Sequence, residues 1–243
     1  RSVLRRALEL GVNFIDTADA YGPDVSEQLI RDALHPYPQG LVIATKGGLV
    51  RPSRAQWVSD ARPEHLTAAC EASLRRLQLE RIDLYQLHRP DPKVPLEDSI
   101  GALARLQQQG KIRHIGLSNV SPAQLAQAQG LVKIVSVQNR YNVADRSSDD
   151  VLALCERQQI AFLPWAPLAQ RAQASGAVDA RVSALESIAR EHHVDMPQAT
   201  LAWLLARSPV MLPIPGTSRV DHLEDNVAAA NIRLSRQEME RVG

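Results

Sequence analysis

Ile82-Asp83-Leu84-Tyr85-Gln86-Leu87-His88 is a short apolar run that ends on a histidine. Apolar side chains at helical spacing follow near 96–109, and a second run, Ile112-Arg113-His114-Ile115-Gly116-Leu117, comes after them. A strand, a helix and a strand in that order make one β-α-β unit, which requires parallel strands. The same alternation extends in both directions. Strands are expected near 12–16, 41–45, 82–87, 112–117, 134–137, 160–164 and 210–213. Helices are expected near 25–35, 64–77, 96–109, 122–129, 148–158, 180–193, 197–206 and 219–229. Repeated β-α units of this length specify an α/β protein built on a parallel sheet.

Seven strands are visible, and the chain opens on a helical pattern: Val3, Leu4, Ala7, Leu8 and Leu10 recur at helical spacing, and Gly11 stands where a C-terminal cap belongs. Eight strands close a (β/α)8 TIM barrel, whereas seven leave a gap with unpaired edges. The expectation is therefore a single barrel domain over 1–243, its first strand lying upstream of Arg1. The 243 residues are 44% hydrophobic and carry a formal net charge of +1, with no bias toward nucleic acid or membrane surfaces. No apolar run reaches the ~18 residues of a membrane span, and the start Arg-Ser-Val-Leu-Arg-Arg lacks the apolar core of a secretory signal. Cys70 and Cys155 fall inside helical patterns and read as reduced thiols of a cytoplasmic protein.

In a parallel barrel the loops after the strands form the catalytic face, so polar residues closing strands are the candidates for chemistry. Asp16 closes Gly-Val-Asn-Phe-Ile-Asp, Lys46 closes Leu-Val-Ile-Ala-Thr-Lys, and His88 closes the run quoted first. Alternation puts Asp16 on one face with Phe14 and Val12, Lys46 with Ala44 and Val42, and His88 with Gln86 and Leu84. If those faces point inward, three ionisable groups surround one cavity, with Tyr21 in the turn after Asp16 able to fold over it. Each also has a plainer reading: Asp16 as a turn former, Lys46 as a solvated charge, His88 as a rim histidine, Tyr21 as a cover for the core. Only four lysines accompany twenty-four arginines, which makes a lysine at a strand end more pointed. The least regular stretches, 47–62 and 166–179, both follow strands and are expected to wall the pocket, with Asp19, Tyr21 and Trp57 among the lining residues.

Gly11-Val12-Asn13-Phe14-Ile15-Asp16-Thr17-Ala18-Asp19-Ala20-Tyr21-Gly22 resembles the signature of the aldo-keto reductase family, with four residues between the aspartate and the tyrosine. Thr45-Lys46-Gly47 and Leu84-Tyr85-Gln86-Leu87-His88 are similar to its lysine and histidine segments. The likeness covers essentially the whole chain except the family's N-terminal hairpin and first strand. It implies an oxidoreductase that passes a hydride from NADPH to an aldehyde or ketone, with Asp16, Tyr21, Lys46 and His88 as the catalytic set. It also implies that Ser118, Asn119 and Gln138 hold the nicotinamide carboxamide. Trp165, in Pro164-Trp165-Ala166-Pro167-Leu168, would stack on the ring. Gly216, Thr217, Ser218, Arg219, His222, Asp225 and Asn226 would receive the cofactor's phosphate and adenine.

The implied mechanism is chemically coherent. A nicotinamide carries hydride because no side chain can, and the protein must supply the proton. A tyrosine hydroxyl, ordinarily a weak acid with a pKa near ~10, can serve if its anion is stabilised, and a buried lysine ammonium would do that. Tyr21 is then the proton donor, Lys46 its stabiliser, Asp16 the partner that orients Lys46, and His88 a hydrogen-bond donor to the substrate oxygen.

Two other chemistries fit the spacing less well. A metal site wants closely spaced histidine or carboxylate ligands, and His192-His193 reads instead as a solvated pair on a helix. A Schiff-base lysine would need neither the Asp-x4-Tyr arrangement nor the nicotinamide segments. No Gly-x-Gly-x-x-Gly fingerprint is present, so a Rossmann fold is not the route to the cofactor. Because Trp165-Ala166-Pro167-Leu168 also resembles nicotinamide-binding regulatory subunits of potassium channels, a binding module is the alternative to an enzyme. The segment after the last strand departs from many members: Gly216 and His222 stand where a lysine and an arginine are common, leaving Thr217, Ser218, Arg219 and helix amides for the 2′-phosphate.

Overall fold

In a computed structural model, residues 1–53, 55–168 and 176–243 are described, together with the backbone but not the side chains of 176–179. They form two compact units, Arg1–Val137 and Gln138–Gly243.

The first unit opens with helix α1 (Ser2–Glu9), followed by strand β1 (Phe14–Asp16), helix α2 (Val25–Leu34) and strand β2 (Val42–Gly47). Strands β3 (Leu49–Ser53) and β4 (Gln56–Ser59) lead to helix α3 (Pro63–Leu77) and strand β5 (Ile82–Leu87). Helix α4 (Leu96–Gln108), strand β6 (Ile112–Ser118), helix α5 (Pro122–Gln129) and strand β7 (Ile134–Gln138), all but its last residue, complete it. The sheet order is β1-β2-β5-β6-β7. The first three pairings, β1 with β2, β2 with β5 and β5 with β6, are parallel. Every step between neighbours in the sequence of parallel strands passes through a helix, as a parallel connection requires.

Register places the functional strand ends at comparable heights. Asp16 stands opposite Ala44, Lys46 opposite Gln86, and Gln86 opposite Gly116. Outside the sheet, Ile15, Ile30, Leu34, Ile43 and Leu77 pack into one apolar cluster that Leu4, Leu8, Tyr37 and Leu41 partly cover. Burial of each such side chain contributes about 1.5–3 kcal/mol, which ties α1, α2 and α3 to β1 and β2. The same flank buries a charge. Glu27 is fully enclosed and accepts hydrogen bonds from Thr45 Oγ1 and Arg76 Nε, both at 2.6 Å.

β3 and β4 form an antiparallel hairpin of their own, with Leu49 opposite Ser59 and Val50 opposite Val58. This corrects the reading of 47–62 as irregular: Leu49, Val50, Trp57 and Val58 favour pleated backbone, but Arg51, Pro52 and Arg54 interrupt the alternation that would have revealed it. Arg54 lies outside the described residues.

The second unit contains helix α6 (Asp149–Gln158), strand β8 (Ala161–Phe162), helix α7 (Gly176–Glu191), helix α8 (Met196–Arg207), helix α9 (Val220–Ala228) and helix α10 (Arg236–Val242). Tyr141 organises its core: the ring stacks on Trp203 at 6.1 Å and meets Phe162 edge-on at 5.8 Å. Its hydroxyl donates to Asp149 and receives a bond from Arg207 Nε at 3.2 Å.

Two expectations fail here. The strand expected at 210–213 is a single parallel bridge between Phe162 and Met211, extended by backbone bonds Phe162 N–H to Val210 O and Leu212 N–H to Phe162 O. Pro213 and Pro215 lack the donors to continue a ladder. The solvated reading of the His192-His193 pair is also wrong for one of them: the His192 ring meets Glu238 Oε1 at 2.6 Å. That partner lies on α10, a helix for which no expectation was made, although Ser235 and Glu238 form its capping box. The pocket stretch 166–179 falls partly on 169–175, outside the described residues.

Gly116 gives the sheet a testable constraint. A Cβ there would fall inside van der Waals contact of Ser136 Oγ and 2.9 Å from Gln86 Cγ. Both neighbours are buried. Gly116→Ala is expected to destabilise the fold by about 1–3 kcal/mol, read as a lower denaturation midpoint in urea with an unchanged slope.

Candidate active site

Lys46 is the fully buried centre of the first unit's polar cluster. Its Nζ donates to Asp16 Oδ2 at 2.6 Å, to the Thr17 carbonyl at 2.8 Å and to the Tyr21 hydroxyl at 3.3 Å. An ammonium carries three N–H bonds, so these three acceptors use the whole donor set. Asp16 Oδ1 receives a further bond, from Gln86 Nε2 at 3.1 Å. The ammonium also lies 4.9 Å from the Tyr21 ring centroid.

The His88 ring meets the Tyr21 ring edge-on at 5.8 Å, and Trp57, from β4, meets the two at 6.4 and 6.2 Å. The Arg51 guanidinium sits 4.4 Å over the Trp57 ring. Trp57 is 40% exposed. This indole, partly in water, packs edge-on against both Tyr21 and His88 and walls that side of the cluster. The structure thus brings together all four strand-end and turn residues singled out for chemistry. Burial, then Lys46 and Arg89, push the His88 pKa down from 6.5 to about 3. Its imidazole is neutral near pH 7, able to donate one ring N–H but not to act as a stored acid.

Ser118 ends β6, buried, and Asn119 follows it with φ of 59°, a left-handed value that asparagine tolerates better than most residues. The Asn119 side-chain amide donates to the His88 carbonyl and to Ser118 Oγ, both at 3.0 Å. These two residues are therefore tied to the strand that carries His88.

Asp19 lines a cavity of about 350 Å³ with Asp24, Arg51, His65 and Arg76. Burial, reinforced by Glu27, raises its pKa from 3.8 to about 7.

In the second unit, Gln138 and Asn139 are buried, and the Trp165 amide donates to the Asn139 carbonyl at 3.0 Å. The Arg140 guanidinium lies 5.5 Å from the Trp165 ring centroid. Ala166 has φ of 52°, and its carbonyl accepts from Asn142 Nδ2 at 3.1 Å, fixing the turn that leads into Pro167 and Leu168. Further along, Gly216, Ser218, Arg219 and His222 are exposed, Thr217 is half-buried, and Asp225 and Asn226 lie on α9. Thr217 Oγ1 accepts from the Arg219 amide at 3.1 Å. The Arg219 guanidinium is paired with Asp221, an engagement that sequence reading missed although the two are only two residues apart.

Among the described residues no group of three or more His, Cys, Asp or Glu side chains could hold a metal ion. Nor is any described helix long and apolar enough to cross a membrane.

The profile of the Aldo/keto reductase family matches residues 1–243. The chain belongs to that family. An uncharacterized oxidoreductase of Schizosaccharomyces pombe is 49% identical over 96% of this chain and 74% of its own length. Pyridoxine 4-dehydrogenase of Escherichia coli is 44% identical over 97% of this chain and 82% of its own. Among solved structures, a glycerol dehydrogenase of Gluconobacter oxydans superposes with a TM-score of 0.88 at 27% identity, covering 99% of this chain and 82% of that one. An aldo-keto reductase of Klebsiella pneumoniae in complex with NADPH gives 0.83 at 29%, with the same coverage. The chain is an oxidoreductase with the α/β fold of these (β/α)8 relatives.

The two shifted groups pull stability in opposite directions with pH. His88, with its folded pKa depressed, binds no proton between about 6.5 and 3 where the unfolded chain does, so its contribution is full above 6.5 and is lost as pH falls toward 3. Asp19, with its folded pKa raised, contributes below 3.8 and loses that contribution as pH rises through about 7. In urea melts, His88→Gln is expected to lose less stability than the parent on acidification, and Asp19→Asn less on moving to alkaline pH. Parallel pH curves for parent and variants would contradict both assignments.

Proposed function

We propose that this reductase transfers a hydride between NADPH and an aldehyde or ketone, with Tyr21 giving the proton. The observation that carries this reading is the contact of the buried Lys46 ammonium with the Tyr21 hydroxyl at 3.3 Å, backed by Asp16 at 2.6 Å. Relatives named as dehydrogenases of pyridoxine and glycerol support an alcohol and carbonyl pair as the substrate class.

Each unit by itself offers groups of the kinds a nicotinamide cofactor uses. In the first unit, Ser118 and Asn119 offer a hydroxyl and an amide to a carboxamide. In the second, Gln138 offers an amide, Trp165 with Ala166, Pro167 and Leu168 offers an aromatic face and apolar turn, Gly216 to Arg219 with His222 offer donors at the start of α9, and Asp225 and Asn226 lie further along that helix. When bound, the nicotinamide supplies hydride to the carbonyl carbon. Tyr21 holds the proton that the carbonyl oxygen takes up. Lys46 stabilises the phenolate left behind, and Asp16 holds Lys46 charged and oriented. His88, neutral, donates its ring N–H to the oxygen on which charge develops. That His88 holds no proton near neutrality supports Tyr21 rather than His88 as the acid.

With NADPH and a panel of aldehydes, Tyr21→Phe should lose nearly all turnover while binding the cofactor within a few fold of the parent, and Lys46→Met should behave alike. Retention of more than about a tenth of the parent rate in Tyr21→Phe would remove the acid assignment.

A preference for NADPH over NADH rests on Thr217, Ser218, Arg219 and the amides of α9. A 2′-phosphate would compete with Asp221 for the Arg219 guanidinium, and charge-assisted bonds of this kind contribute about 1–3 kcal/mol, or roughly five- to a hundredfold in affinity. Dissociation constants should show that preference shrinking in Arg219→Ala and widening in Asp221→Asn, whereas equal affinities in the parent would mean that the segment is not built for phosphate.

A further inference from the structure

We infer that Gln86 is a positioning residue for the reaction, holding the second oxygen of the Asp16 carboxylate so that Lys46 is presented to Tyr21. The inference rests on the reading of Tyr21 as the acid. Two donors from two strands grip the carboxylate: Lys46 Nζ takes Oδ2 at 2.6 Å, and Gln86 Nε2 takes Oδ1 at 3.1 Å. A carboxylate held at one oxygen can still rotate about its Cβ–Cγ bond. Held at both, it cannot. At 3.1 Å only the amide nitrogen can face a carboxylate, because two acceptor oxygens would repel, so the orientation of the Gln86 amide follows from its partner.

Packing alone does not account for a glutamine here. Gln86 is fully buried, and its Oε1 has no hydrogen-bond donor among the described residues. An orphaned buried acceptor costs a fold about 1–3 kcal/mol, a cost that an apolar side chain of similar size would not carry at that end of the amide. The neighbouring strand also makes room for the side chain, since a Cβ on Gly116 would lie 2.9 Å from Gln86 Cγ. In register, Gln86 stands opposite Lys46 on one side and Gly116 on the other. The charged or titratable groups around it are Asp16 from β1 and Lys46 from β2, with His88 two residues along its own strand; Gly116 on β6 and Ser136 on β7 add no charge. A costly amide aimed at the Asp16–Lys46 pair is what a device for orientation looks like.

The test compares Gln86→Leu and Gln86→Glu with the parent in single-turnover reduction of 4-nitrobenzaldehyde by NADPH across pH, alongside cofactor dissociation constants and thermal melts. Gln86→Leu should still melt cooperatively, bind cofactor within about threefold, and slow the chemical step by about tenfold or more. In Gln86→Glu the introduced carboxyl, when protonated, donates an O–H to Asp16 in place of the amide. Its rate should therefore approach the parent's at the acid end and fall as pH rises, through one deprotonation absent from the parent and from Gln86→Leu. A Gln86→Leu rate within about threefold of the parent, or a Gln86→Glu profile that tracks the parent's, overturns the inference. Should Gln86→Leu fail to fold, the Gln86→Glu profile decides alone. Tyr21→Phe run in parallel separates the two levels: if it stays active, the acid assignment fails and this role falls with it. If it is dead while both Gln86 variants behave as the parent, only the positioning role is lost.

Discussion

A lysine ammonium withdrawn completely from water must find a counter-charge and three acceptors, or the fold cannot hold it ionised. Lys46 finds them in the Asp16 carboxylate, the Thr17 carbonyl and the Tyr21 hydroxyl. Two of these come from β1 and the residue just past it, which explains why β1 must pair beside β2 and in this register: a slip of one residue would turn Lys46 to the opposite face of the sheet. The third acceptor fixes the turn. Tyr21 is folded back over the strand ends because its hydroxyl completes the set.

Charge burial recurs on the outer side of the same strands. Thr45, next to Lys46 and pointing the other way, bonds to the enclosed Glu27, which Arg76 balances. Alternation along β2 thus separates two buried ion pairs by the thickness of one backbone. The cavity lined by Asp19 lies toward this second cluster, and Glu27 adds to the burial that keeps the Asp19 carboxyl protonated into the neutral range.

What could be read from the sequence follows the range of the interactions. Asp16, Lys46 and His88 were legible because strand length and side-chain parity are local properties, and parity also put Gln86 on the face of His88. Tyr21 needed more, since a turn's path is not written in its periodicity; the resemblance to a family supplied it. The hairpin that carries Trp57 stayed hidden because Arg51 and Pro52 break its alternation, and its pairing is only visible across the turn. The apolar residues at 210–212 favour a strand, but the prolines at 213 and 215 withhold the donors that a longer ladder needs. His192 was read as solvated because its partner, Glu238, is far along the chain. The Arg219–Asp221 pair is local, two residues apart, and such short-range charge pairing leaves no periodicity in the sequence.

The chemistry and the wall of the site have different origins in the chain. Asp16, Lys46 and His88 stand at the C-terminal ends of β1, β2 and β5 or directly follow them, whereas Trp57 is delivered by a separate two-stranded hairpin inserted between β2 and α3. Mutations in that insert can recast its shape without moving the groups held by the sheet's register. On the proposed reaction, that one stretch of about a dozen residues can change which substrates are accepted while the residues assigned to proton delivery keep their places, so a lineage built this way diversifies in what it accepts faster than in what it does.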